Sequence, residues 1–348
     1  MRPRLLTNSD LAELLARRAE QSEGLRQRVF RRAARSAFLW PEEAADLLTA
    51  GRSLVELKSI GPFLAREIET WLNQPPDKIL PPPLRRDFLT LAEARRILAA
   101  HPDWKRQLRG DLQMHSQWSD GSGTVAEMAT AAEERGYEYI AITDHSKGLK
   151  IAGGIDEAAL ARQGEEIRAW NEAHANSRLR VLRSIELNLN PGGEGDMELQ
   201  SLGGLDLVLG SFHSSLRTRE DQTERYLAAL RNSHLHILGH PRGRIYNFRL
   251  GLKADWSRVF AEAARIDRAL EIDCYPDRQD LNLALLKLAR KEGARISLGT
   301  DAHHSWQLEF IELGLAAALK ARLSADRIVN FLHLPDLQRW TRSCSRDR

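Results

Sequence analysis

From Gly110 onward, short apolar runs alternate along the chain with longer amphipathic stretches. The apolar runs predict β-strands at Arg109–Met114, Tyr139–Thr143, Arg180–Leu187, Asp206–Gly210, Leu235–Gly239, Ala269–Asp273 and Arg295–Gly299. The stretches between them predict helices near Val125–Arg135, Glu157–His174, Glu220–Asn232, Trp256–Arg265 and Leu281–Lys291. This alternation of strand and helix predicts an α/β fold with a parallel sheet. The pattern alone fits both a closed barrel and an open doubly wound sheet.

The N-terminal part of the chain has a different pattern. Residues 8–72 have the spacing and composition of helices. The stretch Gln74–Pro83 holds five prolines in ten residues, so it can continue neither a helix nor a central strand. A short helix is predicted at Thr90–Ala100. The predicted division is a helical domain at 1–73, a proline-rich linker with a short helix at 74–108, and an α/β domain at 109–348.

Composition excludes several classes of protein. The 348 residues are 42% hydrophobic and 28% charged, which is ordinary for a globular chain, and no apolar run approaches the ~18 residues of a membrane span. The start of the chain lacks a signal-peptide pattern, and the only cysteines are Cys274 and Cys344. We therefore expect a cytoplasmic protein with neither a disulfide framework nor a cysteine-based zinc site.

Charge is distributed unevenly along the chain. Residues 1–108 carry 19 Lys and Arg against 14 Asp and Glu, although the whole chain has a net charge of only +3. This basic N-terminal part favours an anionic partner. A solvated helix surface without a partner explains the same charge equally well.

Potential metal ligands follow almost every predicted strand: His115, Asp144, His145, Glu186, His213, His240, Asp301 and His303. The C-terminal ends of parallel strands converge on one mouth, so these side chains are expected to meet. A single histidine in such a place is more often a packing or capping residue, but a whole set is not explained that way. Imidazole and carboxylate together suit zinc, manganese or iron. Their number predicts two or three metals, an arrangement typical of phosphoryl hydrolysis.

These residues stand in motifs that resemble those of the PHP (polymerase and histidinol phosphatase) superfamily. The motifs are GDLQMHS at 110–116 with SDG at 119–121, ITDHS at 142–146, IE at 185–186, GSFHS at 210–214, GHP at 239–241 with GR at 243–244, and GTDAH at 299–303. The resemblance covers about residues 109–325. In its SDG and HPRGR segments it is similar to the C-terminal PHP domain of bacterial X-family DNA polymerases. It implies a distorted (β/α)7 TIM-like barrel with a trinuclear metal site at the strand ends.

The resemblance implies three groups of ligands: Gln113, His115, Glu186 and Asp301 around a first metal, Glu186, His213 and His240 around a second, and Asp120, His145 and His303 around a third. It implies two or three divalent ions, Mn²⁺ or Zn²⁺, with Fe²⁺ as a further candidate. The family usually has histidine where this chain has Gln113. Because an amide oxygen is a weaker zinc ligand than imidazole, the first metal is expected to bind less tightly or to be manganese.

Four further residues are catalytic candidates on the same grounds. Arg242, Arg244 and Lys147 are candidates to neutralise a phosphate, with ordinary surface cations as the alternative. Asp144 is expected to orient His145 or the mouth of the site. Near another strand end, Asp273 and Arg278 resemble the family's substrate-side segment.

The segment Gly51–Ile68 resembles a helix-hairpin-helix, whose hairpin turns backbone N–H groups toward a DNA phosphate. Gly61 fits the second glycine of that motif, but Ser59 replaces the first, so a strained or shifted turn is expected. An ordinary pair of helices is the alternative. The segment Phe30–Arg35 looks like the small helical domain of the same polymerases. The predicted DNA-binding residues are Lys58, Gly61, Arg66, Arg31 and Arg32.

Fewer than forty residues separate Trp71 from Arg109, which leaves no room for a polymerase palm, and no DNA synthesis is expected. The sequence predicts a metal-dependent phosphoesterase that hydrolyses phosphodiester or phosphomonoester bonds at nucleic-acid 3′ ends, through hydroxide held by several metals. The expected partner is DNA, bound without sequence specificity, and no membrane is expected. One alternative is a small-molecule phosphatase of the histidinol-phosphate type. Another is a weakened DNA-binding module, suggested by Gln113 and Ser59.

Overall fold

A computed structural model describes residues 5–344 of the chain. Its strands are β1 (Gly110–Met114), β2 (Tyr139–Ile142), β3 (Arg180–Arg183), β4 (Glu186–Asn188), β5 (Leu209–Ser211), β6 (Ile237–Leu238), β7 (Ala269–Asp273) and β8 (Arg295–Gly299). Its α-helices are α1 (Asn8–Glu20), α2 (Gly24–Ser36), α3 (Ala44–Thr49), α4 (Pro62–Asn73), α5 (Leu91–Ala99), α6 (Pro102–Gln107), α7 (Val125–Glu134), α8 (Glu157–Ala173), α9 (Leu199–Gly203), α10 (Thr223–Leu230), α11 (Trp256–Arg265), α12 (Leu283–Glu292), α13 (Ile311–Lys320) and α14 (Leu334–Cys344). None of these helices is both long and apolar enough to cross a membrane.

The strands form two parallel sheets that together make the predicted α/β fold. One sheet has the order β1-β2-β3 and the other the order β4-β5-β6-β7-β8. They join because β3 and β4 lie one after the other along nearly the same line: β3 pairs with β2, and β4 pairs with β5. A bridge between His145 and Glu186 continues the first sheet into the second. Counted this way, β3 and β4 occupy one of seven strand positions.

The circle of strands closes between β1 and β8. Backbone bonds join them at the C-terminal end, where the amide of Asp301 donates to Gln113 at 3.1 Å and the amide of His115 donates to Ala302 at 2.8 Å. At the other end the buried side chain of Asn330 stands between the two strands. It donates to the carbonyls of Gly110 and Leu298, at 2.9 and 2.8 Å, and accepts the amide of Leu298 at 2.7 Å. The barrel is therefore closed partly by a side chain.

The predicted strands agree with the structure best where both faces are buried. Ala269–Asp273 and Arg295–Gly299 match β7 and β8 at both ends. The single strand predicted at Arg180–Leu187 is wrong in one respect, because it is interrupted after Arg183, where the chain changes its pairing partner from β2 to β5. The strand predicted from Asp206 begins only at Leu209. Asp206 instead uses its carboxylate to accept the amide of Arg183 at 2.9 Å.

The N-terminal helices pack around a core of their own. Thr7 and Asp10 form a capping box that starts α1, which packs against α2. Trp40 is fully buried, and its indole N–H donates to the carbonyl of Lys58 at 3.1 Å. This core also receives a residue from the barrel: the ring of Tyr246 lies 4.8 Å from that of Phe38, centroid to centroid.

Tyr246 is carried by residues 242–252, which we call the 242–252 hairpin. Ile245 and Arg249 pair across it through two backbone bonds of 2.9 Å, and the amide of Leu252 donates to Arg242 at 2.9 Å. The hairpin begins two residues after His240, and Tyr246 near its tip is buried in the N-terminal core. It therefore connects the mouth of the barrel directly to the N-terminal helices.

The proline-rich segment also packs against both parts. Ile79 and Phe88 are buried in the N-terminal core, and Arg85 is 8% exposed. The Arg85 guanidinium bonds Glu13 of α1 at 2.7 Å and the Asn247 side chain of the hairpin at 2.9 Å. The helix predicted at Thr90–Ala100 is α5, and its Arg95 pairs with Glu309 and Glu312 beside the barrel, at 3.0 and 2.8 Å. The division at 73 and 108 stays a prediction about folding units, since the contacts across it are extensive.

Candidate metal centre

Glu186, at the start of β4, lies at the centre of the histidine cluster. Its side chain is fully buried. Oxygen Oε1 lies 2.7 Å from His240 Nε2 and 3.2 Å from His213 Nε2. Oxygen Oε2 lies 3.0 Å from His145 Nδ1 and 3.5 Å from His115 Nε2. One carboxylate thus faces four imidazoles from four different strand ends, two on each oxygen.

Two further acids flank this core. Asp301 Oδ1 lies 3.0 Å from His115 Nε2. Asp120 Oδ1 lies 3.3 Å from His303 Nε2, 3.6 Å from His145 Nε2 and 4.0 Å from His115 Nδ1. The rings of His115 and His303 lie side by side with their centroids 4.4 Å apart.

The residues fit divalent metals. Three overlapping groups place one donor atom per residue within 4.8 Å of one another: His115, Asp120, His145 and His303; His145, Glu186 and His213; and His115, Glu186 and Asp301. Several of these donor atoms are buried and form no hydrogen bond within residues 5–344: His115 Nδ1, His145 Nδ1, His213 Nε2, Glu186 Oε2 and Asp301 Oδ2. Buried lone-pair donors without a partner are costly unless a cation binds them. Nitrogen and oxygen donors together suit zinc, manganese or iron.

Neighbouring histidine and arginine side chains stabilise the ionised form of the buried carboxylates. Burial raises the pKa of Glu186, but the imidazoles of His145 and His213 outweigh it and hold the pKa well below its usual value. Burial likewise raises the pKa of Asp301, but Arg278 and His115 lower it by more. Both carboxylates are therefore ionised at neutral pH, as metal ligands must be.

Two residues of the cluster have strained backbones. His240 follows β6 with a φ of 22°, and Asp301 follows β8 with a φ of 53°. Positive φ is unfavourable for residues other than glycine and persists at functional sites because the surrounding structure imposes it. Here the strain turns both side chains from the strand ends toward Glu186 and His115.

Gln113 lies beside the cluster and contacts an acid that sequence reasoning missed. Its amide N–H group donates to Glu271, 2.5 Å from Oε1 and 2.7 Å from Oε2. Glu271, on β7, also accepts the amide of His240 at 2.8 Å. A β-carbon at Gly299 would overlap both side chains, so glycine is required there. The signal in the sequence was a charged residue between Leu270 and Ile272 in an otherwise apolar strand.

Asp144 supports the loop that carries Asp120. Its two oxygens accept the hydroxyls of Ser116 and Ser119, both at 2.6 Å, the amides of the same two serines at 2.9 and 3.1 Å, and the amide group of Gln163 at 2.6 Å. All five donors lie on the 116–119 turn or on α8. Asp144 thus holds the mouth of the site, which is one of the two functions expected of it.

An open cavity of about 280 Å³ lies over the cluster. Asp120, His145, His213, His240, Asp301 and His303 form its floor, and Leu149, Ile151, Leu216 and Ile245 form apolar walls. Its cationic wall is formed by Arg244, Arg249 and Arg278. Arg278 Nη1 lies 3.1 Å from Asp301 Oδ2, and its side chain is 33% exposed. Arg249 had no motif in the sequence, and only the 242–252 hairpin brings it to the cavity.

The predicted phosphate-neutralising residues occupy other places. Arg242 donates to the carbonyl of Leu250 at 2.7 Å, and it does not line the cavity. Lys147 pairs with Glu157 at 2.7 Å, also away from the cavity. Arg244 lines the cavity, but its guanidinium donates to the carbonyls of Arg278 and Asp87, both at 2.7 Å. Arg278 is therefore the cation that the structure places beside the ligand cluster.

The predicted DNA-binding residues lie together on the N-terminal helices. Arg31 and Arg32 are exposed on α2, and Arg66 is exposed on α4. Gly61 precedes α4 as its N-cap residue. The strained turn is confirmed at Ser59, whose φ is 68°. The Ser59 hydroxyl contacts Arg32 Nε at 3.2 Å and the Ser36 hydroxyl at 2.9 Å, which hold the turn.

The hairpin of the N-terminal helices reaches the mouth of the barrel. Lys58 Nζ lies 4.8 Å from the ring centroid of Trp306, a cation–π distance. Trp306 follows His303 by three residues and is 42% exposed. The predicted nucleic-acid surface and the predicted metal centre are therefore neighbours.

Comparison with known proteins agrees with this geometry. A model of the PHP domain matches residues 111–280. The DNA polymerase/3′-5′ exonuclease PolX of Bacillus subtilis is 36% identical over 233 residues, 67% of this chain, although this chain spans only 40% of that protein. A probable phosphatase of Photobacterium profundum is 30% identical over 190 residues, 52% of this chain and 72% of that protein.

A solved structure with a partial match is the histidinol phosphate phosphatase of Lactococcus lactis, crystallised with zinc, L-histidinol and phosphate. It is 19% identical, with a TM-score of 0.47 over 62% of this chain and 94% of that one. The sequence matches and the gathered His, Asp and Glu side chains point the same way. The chain belongs to the PHP family and is a metal-dependent phosphoesterase.

Proposed function

We propose that this protein hydrolyses phosphoester bonds at the 3′ ends of DNA, as a 3′–5′ exonuclease or a 3′-phosphatase. The barrel cluster is the reaction centre, and the N-terminal helices bind the DNA backbone without reading its sequence. The observation that carries the proposal is the contact between Lys58 of the basic helical surface and Trp306, which lies three residues after His303 of the metal cavity. A small-molecule phosphatase has no evident use for such a surface.

The free cations of that surface support the proposal. Within residues 5–344, Arg31, Lys58 and Arg66 form no ion pair with an acid, whereas Arg17 and Arg52 of the same helical region do. Unpaired cations on one face are available to phosphates, and such contacts supply affinity that is independent of sequence. The Bacillus relative is named as a 3′-5′ exonuclease, which is compatible with this substrate class.

In the proposed reaction the protein holds two or three divalent ions with the nine residues grouped above, Gln113 included. Such ions, when bound, lower the pKa of water and stabilise the charge that develops on a phosphoryl group. Glu186 and Asp301 hold them because their pKa values stay low in a buried setting. Mn²⁺ and Zn²⁺ both suit the donor set, with Fe²⁺ as a further candidate.

The remaining groups of the cavity orient the substrate. Arg278 forms an ion pair with Asp301 and is partly exposed, so it can contact a non-bridging phosphate oxygen. The apolar walls at Leu149, Ile151 and Ile245 suit the sugar and base of a terminal nucleotide, and Ile151 is 96% exposed. A cavity open to solvent admits the end of a strand without requiring the whole duplex to enter.

A small-molecule phosphatase is the second candidate. It is favoured by the similarity to the Photobacterium protein, which is named a probable phosphatase and matches over most of its length. In that case the cavity takes a free phosphate ester, and the basic helices have another use.

One experiment separates the two candidates. The protein is incubated with Mn²⁺ on a 3′-recessed DNA duplex and, separately, on histidinol phosphate, and product sizes and released phosphate are measured. A ladder of shortened 3′ ends that disappears in His303→Ala supports the proposal. The exposed His101, far from the cluster in sequence and without a motif, supplies the matched control His101→Ala, which should keep the ladder. Phosphate release from histidinol phosphate with intact DNA would contradict the proposal.

A further inference from the structure

A second cavity is lined by the tip of the 242–252 hairpin, at residues that do not line the metal cavity. Its volume is about 370 Å³, and it is formed between α1, α2 and the tip of the hairpin. The polar and aromatic residues that line it are Glu20, Arg31, Arg35, Tyr246, Asn247 and Phe248. The family motifs do not include this cavity, and Arg31 is the one residue of its lining that the sequence predicts to bind DNA.

Two arginines make the cavity cationic. Arg31 and Arg35 both belong to α2, and within residues 5–344 neither guanidinium forms an ion pair or a hydrogen bond. The one acid of the lining, Glu20, is already bound to Arg85 at 2.5 Å. Two guanidinium groups four residues apart on one helix face repel each other slightly and gain from a shared anion. A phosphate is the anion whose charge and geometry fit such a pair.

The hairpin adds an aromatic ring and a free hydroxyl. Phe248 is 55% exposed, and the Arg217 guanidinium lies 4.7 Å from its ring centroid. Tyr246 is 3% exposed, and its hydroxyl has no hydrogen-bond partner within residues 5–344. Burial raises the pKa of that hydroxyl, so it remains a neutral donor. An exposed ring beside cations is the usual platform for a nucleobase.

We propose that this cavity binds one nucleotide of the DNA strand whose 3′ end lies in the metal centre, with the phosphate on Arg31 and Arg35 and the base against Phe248. This inference rests on the proposed function and extends it to the part of the strand upstream of the reacting end. Tyr246 donates its hydroxyl to a polar atom of the same nucleotide. Because its partners are phosphate and ring faces, the site holds single-stranded DNA of any sequence.

The 242–252 hairpin contributes lining residues to both cavities. Its Gly243, Ile245 and Arg249 line the metal cavity, while Tyr246, Asn247 and Phe248 line the second one. A strand that passes over the hairpin therefore meets the Arg31 and Arg35 site on one side and the ligand cluster on the other. The hairpin is thus a specificity element for a polymer, because a mononucleotide ester reaches only one of the two cavities.

Binding of a 5′-labelled thymidine octanucleotide to the full chain, in EDTA so that nothing is cleaved, tests the proposal. The variants are Arg31→Gln with Arg35→Gln, Phe248→Ala, and Tyr246→Phe, which keeps the packed ring. The matched control is Arg339→Gln with Arg342→Gln, two exposed arginines of α14 that carry the same charge. Fluorescence anisotropy is measured at several salt concentrations.

We expect the double arginine variant to weaken binding about tenfold and to reduce the slope of log Kd against log salt by about 0.7–1.4. Phe248→Ala weakens binding about tenfold without changing that slope. Tyr246→Phe weakens it by about threefold to fivefold. The control binds as the native chain does. Native-like binding by both the double arginine variant and Phe248→Ala overturns the proposal.

The failure of this inference and of the proposed function can be told apart. If the native chain shortens DNA but the cavity variants bind normally, only the cavity assignment fails. If the native chain neither binds nor shortens DNA, both fail together. Thymidine 5′-monophosphate is added as a competitor, and displacement of the octanucleotide at an equal concentration of nucleotide units shows a free-nucleotide site and overturns the strand assignment.

Discussion

At the scale of single residues, Asp144 shows how far the centre depends on side chains that hold its loops. It accepts five hydrogen bonds from Ser116, Ser119 and Gln163, none of which is itself a predicted ligand. Yet the turn that it holds carries Asp120, one of the acids of the cluster. Such supporting residues commonly change metal affinity by about 10–100-fold when they are removed.

We therefore expect Asp144→Asn to weaken both the fold and the metal site. An amide offers one acceptor oxygen where the carboxylate offers two, so buried hydroxyl or amide donors lose a partner, at a cost of about 1–3 kcal/mol in the free energy of unfolding. Urea unfolding and metal content after dialysis measure the two effects. Asp103→Asn, at an exposed pair with Arg106, should change neither by a measurable amount. Unchanged metal content in Asp144→Asn would contradict the supporting role.

Single residues also show where sequence reasoning stops. The predicted ligands come together because each lies in a strand or in the loop that follows one, and parallel strands bring their C-terminal ends to one mouth. Arg242 and Lys147 also follow strand ends, but they bind Leu250 of the 242–252 hairpin and Glu157 at the start of α8, and no local pattern reveals these pairings. Arg249 has no motif, yet it lines the cavity because the 242–252 hairpin places it there. The role of a long, flexible cationic side chain therefore depends on its tertiary contacts, which a sequence motif does not reveal.

At the scale of elements, the strands with both faces buried were the most predictable. β7 is buried along its whole length and β8 is buried except at Arg295, and the ends of both strands match the predicted ends. The interruption between β3 and β4 depends on which strand pairs beside each half, and that information lies elsewhere in the chain. The 242–252 hairpin was not predicted, since it has no alternating pattern and is held by contacts with the N-terminal helices.

The hairpin is expected to contribute strongly to stability through Tyr246. Its ring packs against Phe38 and Phe88 with centroids 4.8 and 5.3 Å away. Tyr246→Ala should lower the free energy of unfolding by about 3–5 kcal/mol, as for other buried aromatic side chains. Urea unfolding measures this, with Phe248→Ala as the exposed neighbour that should cost less than about 1 kcal/mol. Equal effects of the two substitutions would contradict the burial of Tyr246.

At the scale of the whole molecule, bound metal and folding stability should be linked. The cluster buries carboxylates and imidazoles without enough hydrogen bonds, and a ligand that binds only the folded state raises stability. At 100 times its dissociation constant, a metal is expected to add about 2.7 kcal/mol. We expect EDTA to lower the midpoint of thermal unfolding and abolish hydrolysis, and Mn²⁺ or Zn²⁺ to restore both.

Glu186→Gln provides the control for that linkage. It keeps the size of the side chain but removes the charge that faces four imidazoles. Its thermal midpoint should no longer respond to added metal, whereas the exposed Glu172→Gln should respond as the native chain does. A full metal response in Glu186→Gln would show that the ions bind elsewhere.

The placement of Tyr246 in the N-terminal core also determines how this protein can be dissected. The hairpin that carries it starts two residues after His240. A chain shortened to the barrel would therefore expose the Tyr246 ring and remove the contacts that hold the hairpin next to this predicted ligand. Truncation would then disable hydrolysis of every substrate, small esters included, even if the helices served only to bind DNA. Exposed point substitutions on α2 and α4 leave Tyr246 buried in the N-terminal core. They are therefore the changes that separate an effect on DNA affinity from an effect on hydrolysis.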